Sequence, residues 1–241
     1  MYEKRKRPED DTLPSTNQIA DMFLDLFGSS TDFPQDNAIL EPFIKSHILN
    51  RSPNDFNSMF TLPELDKVLN KPKSNATGID EIYNAMLTNL SKPNKKNILR
   101  LFNTMYINDF VPEPWKKAII IPHLKPWKPA DTASSYRPIS LTSCLGKLFE
   151  RLLTNRLNWY VESTNLLGPE QAGFRKTRST IDHLVKIDLD IKRGFKEKKS
   201  TVDVFLDIDK AYDTVWTKGL LYKLAKNGLT GNCLGWLQNF L

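Results

Sequence analysis

The stretch Phe205-Leu206-Asp207-Ile208-Asp209-Lys210-Ala211-Tyr212-Asp213 sets three carboxylates directly after a run of apolar residues. Residues Thr201 to Leu206 are β-branched, aromatic and aliphatic, a composition that reads as a strand. Such a strand would deliver Asp207 at its end, where a buried segment meets a cleft. A carboxylate so placed is a good ligand for Mg2+, a hard cation that prefers oxygen donors. A second reading is equally physical: Asp207 and Asp209 can cap a turn or open a helix, as aspartates do routinely.

Two other groups could do chemistry. Tyr136-Arg137-Pro138-Ile139-Ser140-Leu141 follows Lys125 and Lys128. A planar arginine fork suits phosphate oxygens and lysine adds a point charge, although a structural Arg–carboxylate pair would use the same residue. Gln171-Ala172-Gly173-Phe174-Arg175 is followed by Lys176, Arg178, Ser179 and Thr180. Bases clustered beside a small-residue turn and an aromatic ring can grip a nucleic-acid backbone. The alternative there is a solvated helix start with Phe174 in the core.

The elements that must hold these groups are legible from periodicity and capping. Ser15 or Thr16 opens a helix carrying Ile19, Met22, Phe23, Leu26 and Phe27, and Gly28 suits its stop. From Ser29 to Asn57 the residues Asp, Asn, Ser and Pro predict an irregular connection. Thr61 with Glu64 forms a capping box ahead of Leu65, Val68 and Leu69. Helical spacing recurs over 79–90 and 98–106, and residues 118–121 are β-like. Ser143 can cap an amphipathic helix through Leu145, Leu148, Phe149, Leu152, Leu153 and Leu157. Ser179 or Thr180 opens another, and residues 217–227 and 231–241 read as two more. The leucine stripe and the tryptophans are expected in the core. Helices come first and strands later, so the fold class is α+β. Residues 1–57 read as an extension with one amphipathic helix, and residues 58–241 as the main domain.

Bulk properties narrow the partners. The net charge of +6 is uneven: residues 1–60 carry 6 Lys/Arg against 10 Asp/Glu, and the remainder carries 28 against 18. A basic body suits a polyanion, because bound lysines and arginines release condensed counterions. The two cysteines, Cys144 and Cys233, have no CxxC spacing, which argues against a zinc site or a disulfide framework. No apolar run is long enough to span a bilayer, and Lys4 to Arg7 read either as a nuclear-localisation patch or as a solvated charge run at a terminus.

Taken in order, these blocks resemble the reverse transcriptases of non-LTR, LINE-type, jockey-like retrotransposons. The resemblance runs through Ala76-Thr77-Gly78-Ile79-Asp80, Val111-Pro112-Glu113-Pro114-Trp115-Lys116, Tyr136 to Leu141, Gln171 to Arg175 with Arg178-Ser179-Thr180, and Phe205-Leu206-Asp207 with Lys210-Ala211-Tyr212-Asp213. It implies a right-hand polymerase fold, of which this chain supplies the fingers and a partial palm. It implies RNA template, DNA primer and dNTP as partners, with nucleotidyl transfer assisted by two Mg2+ ions. Asp207 then matches the first metal-binding aspartate, with the Ile208 carbonyl beside it. Tyr212 matches the steric gate against a ribose 2′-OH, and Lys210 and Ala211 lie under the triphosphate. Arg137 and Lys125 match groups on the incoming phosphates. Gly173, Phe174 and Arg175, with Lys176 and Arg178, match the template-guiding block.

The departures are as informative. Asn75, Thr77 and Glu81 stand where the family usually has Lys, Pro and Gly, and no Asp-Asp pair follows Asp213. One carboxylate cannot hold two dications about 4 Å apart. The expectation is a truncated polymerase domain, from a shortened element copy or an incomplete gene model, that does not polymerise DNA by itself. A non-catalytic RNA-binding fragment or an unstable relic is the alternative. The expected location is intracellular, in the nucleus rather than the cytoplasm, from the Lys4–Arg7 patch and the family's need to reach chromosomal DNA.

Overall fold

Short-range capping chemistry sets most of the helix starts. In the computed structural model, which describes residues 14–27, 34–70, 76–208, 211–212 and 214–241, helix α1 is Thr16–Phe27 and α2 is Pro34–Leu49. Helices α3 (Leu62–Leu69), α4 (Asn84–Thr88) and α5 (Lys92–Ile107) follow. Strands β1 (Ile119–Leu124) and β2 (Tyr136–Leu141) then precede α6 (Cys144–Ser163), α7 (Thr180–Lys196), α8 (Thr217–Lys226) and α9 (Gly231–Phe240). The Gln18 and Ser15 side chains cap α1 reciprocally at 2.8 and 3.2 Å. The Glu64 carboxylate accepts from the Thr61 N–H at 2.7 Å, and Asp182 does the same for Ser179 at 2.7 Å. The Ser143 hydroxyl accepts from the Gly146 N–H at 3.1 Å and opens α6.

The chain divides into two units: residues 1–156 with 212–241, and residues 157–211. The first holds the core. Phe149 on α6 stacks on Trp236 of α9 at 4.7 Å, and meets Phe102 of α5 and Phe60 edge-on at 5.2 and 5.4 Å. Arg156 fixes the 55–64 segment against this core. Its guanidinium donates to both Glu64 oxygens at 2.8 and 3.0 Å and to the carbonyls of Asp55, Ser58 and Met59, and it lies 4.2 Å over the Phe60 ring. A second anchor is Arg51, which donates to Asp109, to the Ile107 carbonyl and to Asn232 of α9. The loop through Ala76-Thr77-Gly78-Ile79-Asp80 docks on the start of α6: Asp80 accepts from the Ser143 hydroxyl, and a Cβ on Gly78 would stand 2.6 Å from the Ser143 nitrogen. Only glycine admits that approach.

The second unit is built differently. Among its described residues none is buried. Its principal element, α7, exposes Ile181, Leu184, Val185 and Leu189 to at least half of their accessible surface. Arg175 pins the preceding loop, donating to Glu162 at 2.9 and 2.6 Å and to the Gly168 carbonyl at 3.0 Å.

Four sequence expectations are corrected. The connection foreseen over Ser29 to Asn57 contains α2; Pro42 and the surrounding polar residues hide a stripe of Leu40, Phe43, Ile44 and Ile48 that packs on Leu221, Ala225 and Leu234. Residues 29–33 of that stretch, Gly28 before it, and Lys4 to Arg7 lie outside the described residues. Helical spacing over 79–90 condenses to the single turn and a half of α4. Residues Thr201 to Leu206 form no strand; a strand exists only through its ladder, and the two-stranded β1–β2 sheet is the pairing found among the described residues. Trp115 and Trp236 are core residues, but Trp159 is more than half exposed and Trp127 is fully exposed. The outcome is a helix-rich α+β chain with one small antiparallel sheet.

Candidate nucleic-acid interface and carboxylate segment

The first unit presents the β1–β2 hairpin, which with its connection carries Lys125, Lys128 and Arg137. The two strands pair in antiparallel register with Ile121 opposite Ile139 and His123 opposite Arg137. Side chains alternate across a sheet, so one face carries Ile119, Ile121, Ile139 and Arg137. All four are exposed, whereas Tyr136 on the opposite face is buried and donates its hydroxyl to the Ala130 carbonyl at 2.9 Å. The Arg137 side chain makes no hydrogen bond or ion pair among the described residues, which leaves its fork available to an anion. Lys125 lies at the turn end of β1 and donates its ammonium to the Ser134 carbonyl at 2.8 Å, a contact that braces the loop. Between Glu113 and Glu150 the sequence has one acidic residue, Asp131, against Lys116, Lys117, Lys125, Lys128, Arg137 and Lys147. That imbalance gives the hairpin a positive potential.

In the second unit the Gly173-Phe174-Arg175 block forms an exposed loop. Phe174 has φ +61° and is 91% exposed, so its ring is not a core residue. Arg175 is committed to Glu162, whose carboxyl the hydrogen bond from Arg175 holds below the usual range. The role this gives Arg175 is shaping the loop, and it leaves Lys176 and Arg178 exposed beside Phe174. Glu162 as its partner sits 13 residues away and carries no sequence signature.

Asp207 and Ile208 lie in the extended 201–208 stretch and are both exposed, with Ile208 at 72%. Ala211 in this unit is exposed, as is Tyr212 in the first. Asp209, Lys210 and Asp213 fall outside the described residues. Divalent-metal chemistry asks for several oxygens around each ion. Among the described residues no group of three or more His, Cys, Asp or Glu side chains could hold a metal ion. The described donors therefore do not by themselves complete a divalent-cation site.

Two other features carry no chemistry. A cavity of about 470 Å³ between α5 and the 110–115 segment is walled chiefly by Leu101, Met105, Phe110, Pro112, Trp115 and Leu145, with no converging charge. Cys233 is fully buried, and burial pushes its thiol up to about 12, away from reactivity. No helix among the described residues is long and apolar enough to cross a membrane.

Comparison with known proteins gives this geometry its context. Residues 125–241 match the family model described as reverse transcriptase (RNA-dependent DNA polymerase). The chain is 36% identical over 162 residues to the probable RNA-directed DNA polymerase from transposon BS of Drosophila melanogaster, covering 67% of this chain and 18% of that protein. It is 35% identical over 167 residues to the RNA-directed DNA polymerase from mobile element jockey of the same organism, covering 69% and 18%. For the X-element polymerase the figures are 33% over 174 residues, 72% and 19%. The matches thus span about a fifth of the length of these relatives. Through residues 125–241 the chain belongs to the reverse transcriptase (RNA-dependent DNA polymerase) family, as a relative of the jockey-like non-LTR retrotransposon polymerases.

Proposed function

We propose that this chain supplies the template-handling part of an RNA-directed DNA polymerase of a non-LTR retrotransposon, and that its own contribution is to bind RNA. The observation that carries the reading is the basic β1–β2 hairpin, whose exposed face bears the unpaired Arg137 fork; its connection and β2 lie inside the segment that matches the family. In this proposal residues 58–241 are fingers and a partial palm of a right-hand polymerase, preceded by an extension. Arg137 and Lys125 meet the phosphates of an incoming dNTP, Lys210, Ala211 and Tyr212 sit beside it, and Tyr212 excludes the ribose 2′-OH. Gly173, Phe174, Lys176 and Arg178 guide the template, with Arg175 holding their loop. A DNA primer is the second nucleic-acid partner. Asp207, with the Ile208 carbonyl, is the first of the oxygen donors for Mg2+, and further carboxylates are required to complete a two-ion site. The 241-residue polypeptide by itself is therefore inactive in polymerisation while still binding RNA. Such a protein works in the nucleus, where its target DNA is.

The test is fluorescence anisotropy of a labelled single-stranded RNA titrated with the 241-residue chain at several salt concentrations. Affinity should fall linearly in log–log form with salt, by counterion release. Absent or salt-independent binding would remove the reading. Primer extension on the same RNA with Mg2+ should give no product; extension would show that the described donors suffice.

A further inference from the structure

The residues Lys125-Pro126-Trp127-Lys128 form a tight turn at the start of the 125–135 connection between β1 and β2. The Lys128 N–H donates to the Lys125 carbonyl at 3.3 Å, and Trp127 has φ +62°. Proline at the second position and a positive φ at the third define a type II turn, whose third position ordinarily belongs to glycine. Here it holds the largest side chain in the chemical alphabet, and that side chain is 102% exposed. Packing cannot explain it, because the indole touches no core. The backbone conformation does not explain it either, because it opposes a side chain at this position. The remaining physical use of such a ring is to offer both faces to something outside the protein.

The surroundings say what. The turn is braced from within: Lys125 donates to the Ser134 carbonyl, and buried Tyr136 donates to that of Ala130. The indole therefore stands on a fixed platform. The Lys128 ammonium beside it is exposed with no partner among the described residues, and Arg137 follows one step down the ladder from the Leu124–Tyr136 pair. An exposed aromatic ring interleaved with unpaired cations is the arrangement that binds single strands: cations take the phosphates and the ring takes the face of an unpaired base. We propose that Trp127 stacks on an unpaired nucleobase of single-stranded RNA, with Lys128 on the neighbouring phosphate. This rests on the RNA-binding reading above and adds to it a residue that favours single strands over duplex.

The test compares the parent chain with Trp127→Ala, Trp127→Phe and Lys128→Ala in anisotropy titrations of a single-stranded RNA 12-mer and of the corresponding RNA duplex. Trp127→Ala should weaken single-strand binding roughly tenfold at one salt concentration, leave the salt slope unchanged and leave duplex binding unchanged. Trp127→Phe should restore most of the loss. Lys128→Ala should weaken both forms and lower the salt slope by about one. Unchanged single-strand affinity in Trp127→Ala, or equal loss for single strand and duplex, would overturn the stacking role while leaving RNA binding intact. Loss of affinity for phosphatidylserine vesicles instead of RNA would also overturn it and make the turn a membrane contact. No RNA binding by the parent would remove the RNA-binding reading first, and the stacking role with it.

Discussion

The two units solve the problem of apolar surface in opposite ways. In the first, α5, α6 and α9 bury Phe102, Phe149 and Trp236 against one another, and two arginines staple the connecting segments to that core. In the second, α7 has a well-formed capping box and a clear apolar stripe but buries none of it. Local rules built both; burial stabilises only one. Helix propensity and caps contribute about 1 kcal/mol each, whereas fully burying a large side chain contributes about 2–3 kcal/mol. The stability of this polypeptide therefore resides in the first unit. The second unit, with Asp207 and the Phe174 loop, keeps its apolar and charged groups facing outward.

The strongest way to break this comparison is to remove matched apolar groups from each unit. Phe149→Ala should cost about 3–5 kcal/mol in urea unfolding, whereas Leu184→Ala on α7 should stay within roughly 0.5 kcal/mol. Comparable losses at the two positions would show that α7 is buried in solution. Next in size is Arg156→Ala, expected to cost roughly 2–4 kcal/mol, since it strands Glu64 and three backbone carbonyls.

That ion pair also sets a pH dependence. Burial alone would raise Glu64, but hydrogen bonds from Arg156 and Thr61 outweigh it and hold the carboxyl below 4.5. A folded pKa below the unfolded one means that the contribution is present above the unfolded carboxylate range. It is lost as pH falls through the lowered folded value. Urea midpoints of the parent should drop on acidification below pH 4.5, and Glu64→Gln should flatten that drop. A smaller effect is expected for Gly78→Ala, about 1–3 kcal/mol, because its Cβ would press on the backbone of Ser143. Smallest of all, Trp127→Gly should leave thermal stability unchanged or raise it by about 1 kcal/mol, as the turn relaxes. A fall in the melting temperature would show a packing role for the indole that its exposure denies.

What was legible in the sequence was what chemistry writes within a few residues. The Thr61–Glu64 box, the helix start at Ser179 or Thr180, the Ser143 cap and the leucine stripe of α6 all announce themselves within a few residues. The same local grammar failed for α2, where Pro42 interrupts a stripe that only its packing on α8 and α9 completes. It failed for Thr201 to Leu206 because β-propensity describes fitness for a pleated surface, and a pleated surface needs a neighbour. At the candidate site, the motif residues could be named from the sequence, but their commitments could not. That Arg175 is held by Glu162 while Arg137 is unpaired depends on contacts made far along the chain. Trp127 was expected in the core on composition; only the turn geometry shows it standing outside.

The most direct test of the account is amide hydrogen exchange of the 241-residue chain, followed by mass spectrometry with and without single-stranded RNA. Slow exchange is expected in α5, α6 up to Arg156 and α9, with fast exchange over 201–208. Added RNA should protect residues 119–141. Protection absent from that hairpin, with RNA bound elsewhere on the chain, would contradict the assignment of the β1–β2 hairpin as the nucleic-acid interface.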